Sequence, residues 1–226
     1  MTNELWAVIA FIATFTCLVV MYRLFGRNGL FVWVAVGTII ANIQVIKTIE
    51  VFGITATLGN VLFASIYLAT DILNDVYGRA TAKKAVWLGF ASVIVMVLLM
   101  SISLGFKPGE SDIAQDSMQT LFGLVPRIAL GSIIAYLIGQ YVDVYIFNWI
   151  KKRFSSDRTF YIRAYGSTTV SSLIDTALFS IIAFYGVLPN PAVMEIFVTT
   201  YVFKLITTVC NVPFGYLAKS FAKDVD

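Results

Sequence analysis

The chain has 226 residues, 59% of them hydrophobic and only 13% charged, with a formal net charge of +3 and a mean hydropathy of +0.85. That balance lies outside the range of soluble globular domains and marks an integral membrane protein. The lack of any histidine removes the usual metal ligand, the Ser-His-Asp triad and the HExxH motif, so neither an enzyme nor a metal or cofactor site is expected.

A spanning helix needs about 20 mostly apolar residues at 1.5 Å rise each, and runs of that kind are predicted at 5–22, 30–47, 54–77, 84–105, 124–150, 164–187 and 193–218. The first is not a signal peptide, because "MTNE" has no basic residue and Arg23 and Arg27 follow the apolar stretch. Cys17 within it and Cys210 in the last run show no paired spacing. Near the end of the second run stand Asn42 and Gln44.

The third run ends in "LATDILNDVYGR", residues 68–79. Residues three, four, seven or eleven apart share a helix face, which puts Asn60, Tyr67, Asp71 and Asn74 on one stripe. Asp75 reads as a boundary residue, since "YGRATAKK" follows at once. The fourth run is apolar, and after it comes the one sizeable polar connector, "GFKPGESDIAQDSMQTLFG", residues 105–123.

The fifth run carries Arg127 near its start, then Tyr136, Gln140 and Asp143 on one face, continued by Phe147. Gly131, Ala135 and Gly139 read as a surface for close helix packing, and small residues in such a series also suit a homodimer. Thr168, Ser171, Ser172 and Asp175 line the sixth run, and Thr200, Lys204, Thr207 and Asn211 the seventh.

An ionised side chain at mid-helix costs about 2.5–3.5 kcal/mol on insertion scales, and lipid cannot satisfy the polar stripes. They are therefore expected to face one another across an interior path. Counted from the basic helix ends, Asp71 and Asp143 lie roughly 10 Å deep and Asp175 and Lys204 near the midplane, with Asn42, Gln44 and Arg127 towards the other end. Each residue has a plainer reading beside it. Asp175 and Lys204 can be an ion pair locking two helices, and Asp71 and Asp143 can pair with snorkelling Arg or Lys.

Basic residues fall on matching alternate connectors: Arg23 and Arg27; Arg79, Lys83 and Lys84; "KKRFSSDRTFYIR", residues 151–163; and Lys219 with Lys223. Only Lys47 and Lys107 lie on the other side. By the positive-inside rule the N-terminus is outside and the C-terminus cytoplasmic, and the net charge reflects loop bias rather than nucleic-acid binding. The expected architecture is an all-α, polytopic membrane bundle in which residues 1–226 form a single transmembrane domain.

The segments "FASIYLATDILNDVYG", "RATAKKAVWLGF", "PRIALGSIIAYLIGQYVDVYIFNWIKK", "STTVSSLIDTALFSIIAF" and "EIFVTTYVFKLI" resemble the queuosine-precursor transporters of bacterial inner membranes, sometimes grouped with vitamin uptake transporters. From about Asn42 onward the ATD, GQxxDVxxFN, SxxxDT and FK motifs occur in the family's order, while the helix at 5–22 is additional to a six-helix core. The resemblance implies import of 7-deazaguanines such as preQ0, preQ1 or queuine, used to make a modified tRNA base, across the inner membrane. Carried over by position, it implies substrate contacts at Asn42, Asp71, Arg127, Gln140, Asp143, Asp175 and Lys204. The stripes add Tyr67 as an aromatic candidate, and Gln44 stands beside Asn42. One rival is the substrate-binding subunit of an energy-coupling-factor importer, which needs an ATPase module and a scaffold protein. A membrane-embedded enzyme and a purely structural protein are weaker rivals, the first for want of histidine and the second for its four polar stripes.

Overall fold

Gly26 decides the beginning of the fold. The computed structural model describes residues 2–51, 53–123, 126–186 and 189–221, and its first helical stretch, α1, runs Asn3–Gln44 with Gly26 at φ 56° and ψ −138° inside it. This conformation is open to glycine and strained for other residues, and here it folds the helix back on itself. A Cβ placed on Gly29 would lie 2.1 Å from the carbonyl oxygen of Met21, and Cys17, Val20 and Met21 share a groove with Val32, Trp33 and Val36. The two limbs, 3–25 and 27–44, are thus the first two predicted spans joined almost without a loop.

The next segment corrects the expected third span. Residues 54–59 are not helical: Thr48–Val51 (β1) and Ile54–Thr57 (β2) form a two-stranded antiparallel hairpin with Thr48 opposite Thr57, and helix α2 begins only at Asn60 and ends at Tyr77. β-branched residues at Thr48, Ile49, Val51, Ile54, Thr55 and Thr57 favour the extended backbone. The Asn3 side chain donates to Glu50 O at 2.9 Å, so the N-terminus and the hairpin share one end of the bundle.

Helix α3 covers Arg79–Leu104. The polar connector contains a short helix α4, Gln115–Met118, where Asp112 accepts from the backbone N–H groups of Ala114 and Gln115 at 2.6 and 3.0 Å. The long helices α5 (Pro126–Lys151), α6 (Phe160–Phe184) and α7 (Asn190–Ser220) complete the chain. Apart from the hairpin, the described residues form an all-α polytopic bundle.

Among the described residues, five helices are long and apolar enough to cross a membrane, with α1 counted once and α2 not among them. The reason is placement. Residues 64–74 of α2 are all buried, and α2 contacts α1, α3, α5, α6 and α7. A helix wrapped by other helices has no lipid-facing side to keep apolar and can carry Asn, Asp and Thr all round. By contrast α3 turns Trp87, Leu88, Leu98, Leu99 and Ile102 outward.

The Gly131–Ala135–Gly139 series is used within the chain. A Cβ on Gly131 would meet Ile182 at 3.2 Å, and α5 and α6 form the most extensive helix pair. This close approach accounts for the small residues and leaves them no longer an indication of a homodimer.

Basic residues collect at the end opposite the hairpin: Arg23 lies over Phe221, Arg27 over Tyr77, Lys84 over Phe31 and Arg79 over Tyr145. At that end the sequence reading is corrected twice. Asp75 is a buried hub, with Arg163 at 2.8 Å, Lys151 at 3.3 Å and Lys219 all ion-paired to its carboxylate. Arg163, assigned above to a loop, is fully buried in the first turn of α6 and also donates to Phe154 O and Ser156 O at 2.5 and 2.9 Å. Lys151 further donates to the Asn74 and Asp75 carbonyls, which the end of α2 leaves without helical partners. One carboxylate thereby ties together α2, α5, α6 and α7.

Candidate functional site

About one turn deeper than that hub, α2 and α5 bring a second group of polar side chains together. Asp71 and Asp143 are both buried, and their carboxyl groups are near enough to interact with each other. On one side Ser171 and Thr168 of α6 donate to Asp143 Oδ1 at 2.8 and 3.4 Å. Asp71 Oδ1 and Asp143 Oδ2 meet no protein donor, and neither residue has an ion pair among the described residues. Among the described residues no Lys or Arg forms an ion pair with either acid, as snorkelling would require. Two carboxyls side by side repel unless a proton or N–H donors stand between them.

Gln140, one turn before Asp143, is fully buried. The Thr70 hydroxyl, which also reaches Tyr67 O at 2.8 Å, lies 3.1 Å from Gln140 Oε1, and the amide Nε2 has no partner. Thr70 was not singled out in the sequence, although it stands beside Asp71 and shares its position in the ATD motif. The Tyr67 hydroxyl is buried and also without a partner. A Cβ on Gly139 would lie 2.7 Å from that hydroxyl and 2.8 Å from Asp175 Cβ, so the glycine is what lets Tyr67 and Asp175 approach the α5 backbone together.

Asp175 and Lys204 form a direct ion pair between α6 and α7, and Lys204 Nζ also donates to Thr176 Oγ1 at 3.1 Å. The pair borders a cavity of about 30 Å³ lined also by Asn60, Ser132 and Thr200. A second void of about 10 Å³ lies between Tyr67, Thr168 and Lys204. Each of these two voids holds one or two waters at most and is too small for a nucleobase.

The remaining predicted residues stand apart from this centre. Asn42 is half-buried and donates to Thr38 O within its own helix at 2.8 Å, and Gln44 is the half-buried last residue of α1. Neither hydrogen-bonds to the centre among the described residues. Arg127 lies in a stretch whose side chains fall outside the described residues.

A site built from these groups offers two acceptor carboxyls, an amide N–H and a phenol in a dry setting. Unpaired buried groups each cost roughly 1–3 kcal/mol, and a ligand with matching donors and acceptors recovers that cost on binding. Planar, polar and nearly uncharged molecules with adjacent N–H groups fit this description.

The family model described as "Putative vitamin uptake transporter" matches residues 57–218. The chain is 45% identical over 217 residues to a "Probable queuosine precursor transporter" of Bacillus subtilis (strain 168), covering 96% of this chain and 94% of that protein. It is 33% identical over 135 residues to a protein of the same description from Haemophilus influenzae, covering 59% and 54% of the two chains. With the "Queuosine precursor transporter" of Escherichia coli (strain K12) it shares 29% identity over 176 residues, 75% of each. No solved structure matches the chain.

Proposed function

This chain belongs to the vitamin uptake transporter family, and we propose that it imports queuosine precursors, 7-deazaguanines such as preQ0, preQ1 or queuine, across the cytoplasmic membrane. The observation that carries the reading is the buried set of unpartnered groups at one level of the bundle: Asp71 Oδ1, Asp143 Oδ2, Gln140 Nε2 and the Tyr67 hydroxyl. A deazaguanine presents a ring N–H beside an exocyclic amine. A carboxylate accepts both at once, in the mirror image of an Arg fork on a carboxylate. Asp71 is assigned that role, with Asp143 as its neighbour and second acceptor. The Gln140 amide donates to the ring carbonyl, and the Tyr67 ring covers a flat face.

The voids beside the Lys204–Asp175 pair are too small for the substrate, so transport needs α2 and α5 to separate from α6 and α7 on one side at a time. The Asp75 hub seals the basic end, which the positive-inside rule makes cytoplasmic. Substrate then enters from the hairpin end and leaves past Asp75 once its ion pairs open.

The test is uptake of labelled preQ0, preQ1 and queuine, side by side, in a host that can neither make nor import any of them, followed by queuosine in its tRNA. Uptake above the empty-vector level for at least one compound is expected, and none for any of the three sinks the reading. Repeating the measurement with the purified chain alone in liposomes separates a self-sufficient carrier from a subunit that needs an ATPase partner.

A further inference from the structure

We propose that Lys204 and Asp175 select among deazaguanines by the charge of the substituent at the 7-position, favouring a neutral acceptor such as a nitrile over an ammonium group. This rests on the deazaguanine reading above and gives the pair a role separate from recognition of the ring.

The two ion-paired acids of the bundle interior differ in their surroundings. Asp75 and Arg163 have side chains 4% and 0% exposed, whereas Lys204 and Asp175 are 9% and 13% exposed and border the cavity of about 30 Å³ between α2, α5, α6 and α7. A Lys ammonium has three N–H donors. One goes to Asp175 and one to Thr176, which leaves the third for the cavity. Asn60 lines the same cavity, and its Nδ2 has no partner. The space therefore offers donors, and its one carboxylate is already occupied by a lysine.

The cavity also adjoins the ring-binding centre. Tyr67 and Asp175 press on the same point of α5 at Gly139, and Tyr67 in turn lies within electrostatic reach of Asp71 and Asp143. A flat ring held by Asp71 and Gln140 against Tyr67 directs a substituent past Gly139 to the Lys204–Asp175 pair. A nitrile nitrogen accepts there from Lys204 and Asn60. An aminomethyl ammonium meets the like charge of Lys204 and must displace it from Asp175 to find a counter-ion. Hydrogen bonds to charged groups contribute enough to discriminate about tenfold or more.

The experiment uses the full chain in the uptake host above, with preQ0, preQ1 and unsubstituted 7-deazaguanine as probes and membrane levels of each variant measured. Wild type is expected to prefer preQ0 to preQ1 by about tenfold or more. Lys204→Met should erase or reverse that preference, Asp175→Asn should keep it, and Lys204→Met with Asp175→Asn should make uptake blind to the charge. In the double variant no ion is left unpaired, so its uptake of preQ0 and preQ1, each taken relative to the unsubstituted ring, reads the effect of the substituent's charge. An unchanged preQ0 to preQ1 ratio in the double variant overturns the proposal. So does an equal loss of all three probes, or the absence of both Lys204 variants from the membrane, either of which assigns the pair to helix locking. If wild type carries none of the probes, the deazaguanine reading itself fails, an outcome distinct from transport with unaltered ratios.

Discussion

Asp71 and Asp75 stand one helical turn apart on the same buried helix and have opposite surroundings. Asp75 is saturated: Arg163, Lys151 and Lys219 reach it from three other helices. Asp71 faces a second carboxyl and has an oxygen with no donor at all. Burial does not tell the two apart, since both are shielded. What distinguishes them is satisfaction. A buried charge with its partners in place is a joint between helices, and breaking the joint exposes its cost. A buried acceptor left without partners is maintained at a stability cost and is the better candidate for work on a ligand.

The comparison can be broken most directly at Asp71. Asp71→Asn keeps the shape and exchanges one acceptor for a donor, so uptake should fall to background, by more than about 100-fold, on the loss of a charged bidentate contact. Membrane levels should stay at wild type, as an immunoblot would report. Depletion of the protein instead would place Asp71 with Asp75 among the joints.

Asp75→Asn should behave in the reverse way. It leaves the fully buried Arg163 without a counter-charge, while Lys219 keeps its ion pair with Asp157, and stranding a buried charge costs about 3–5 kcal/mol. The expected result is a lowered melting temperature in detergent and little protein in the membrane, with the fraction that survives still binding substrate. Replacing Arg163 as well, in Asp75→Asn with Arg163→Met, should recover part of the lost stability, because the isolated cation is gone.

A smaller effect is expected at Gly139. In Gly139→Ala the new methyl would sit 2.7 Å from the Tyr67 hydroxyl and 2.8 Å from Asp175 Cβ, and overpacking of this kind costs about 1–3 kcal/mol. Both neighbours line the working region, so uptake should fall more than stability does. Equal losses in the two measurements would make Gly139 a packing residue only. The mildest change is Thr70→Val. It removes the hydroxyl that stands between Tyr67 O and the Gln140 amide, a neutral hydrogen bond of about 0.5–1.5 kcal/mol, and should raise the half-saturating substrate concentration a few-fold with little change in maximal rate.

Much of this was legible in the chain itself. The periods of α5, α6 and α7 placed Gln140 with Asp143, Ser171 with Asp175, and Lys204 with Thr207 on inward faces, and a polar stripe in lipid has nowhere else to go. The small residues of α5 announced a close approach. Two residues were misread: Arg163 was counted with the loop because its depth depends on where α6 starts, and Asp75 was read as a boundary residue because the cations that cover it come from other helices. Helix α6 begins at Phe160, four residues before the predicted span, and that shift carries Arg163 inside. The fold-back at Gly26 was visible only as two spans with Arg23 and Arg27 between them, and the hairpin at 48–57 was hidden by β-branched residues that suit an apolar helix and a strand alike.

Sequence by itself determined that this chain lives in a membrane, which faces of its helices are polar, and which acids and amides those faces carry, because helical periodicity is a local property. Only the tertiary structure decided which face meets which. The partners of Asp75, of Asp71 and of Asp175 come from helices tens of residues away, and their distances depend on how closely α2 packs against α5, α6 and α7. A single stripe therefore holds a saturated carboxylate and an unsatisfied one a turn apart, a difference that packing alone creates.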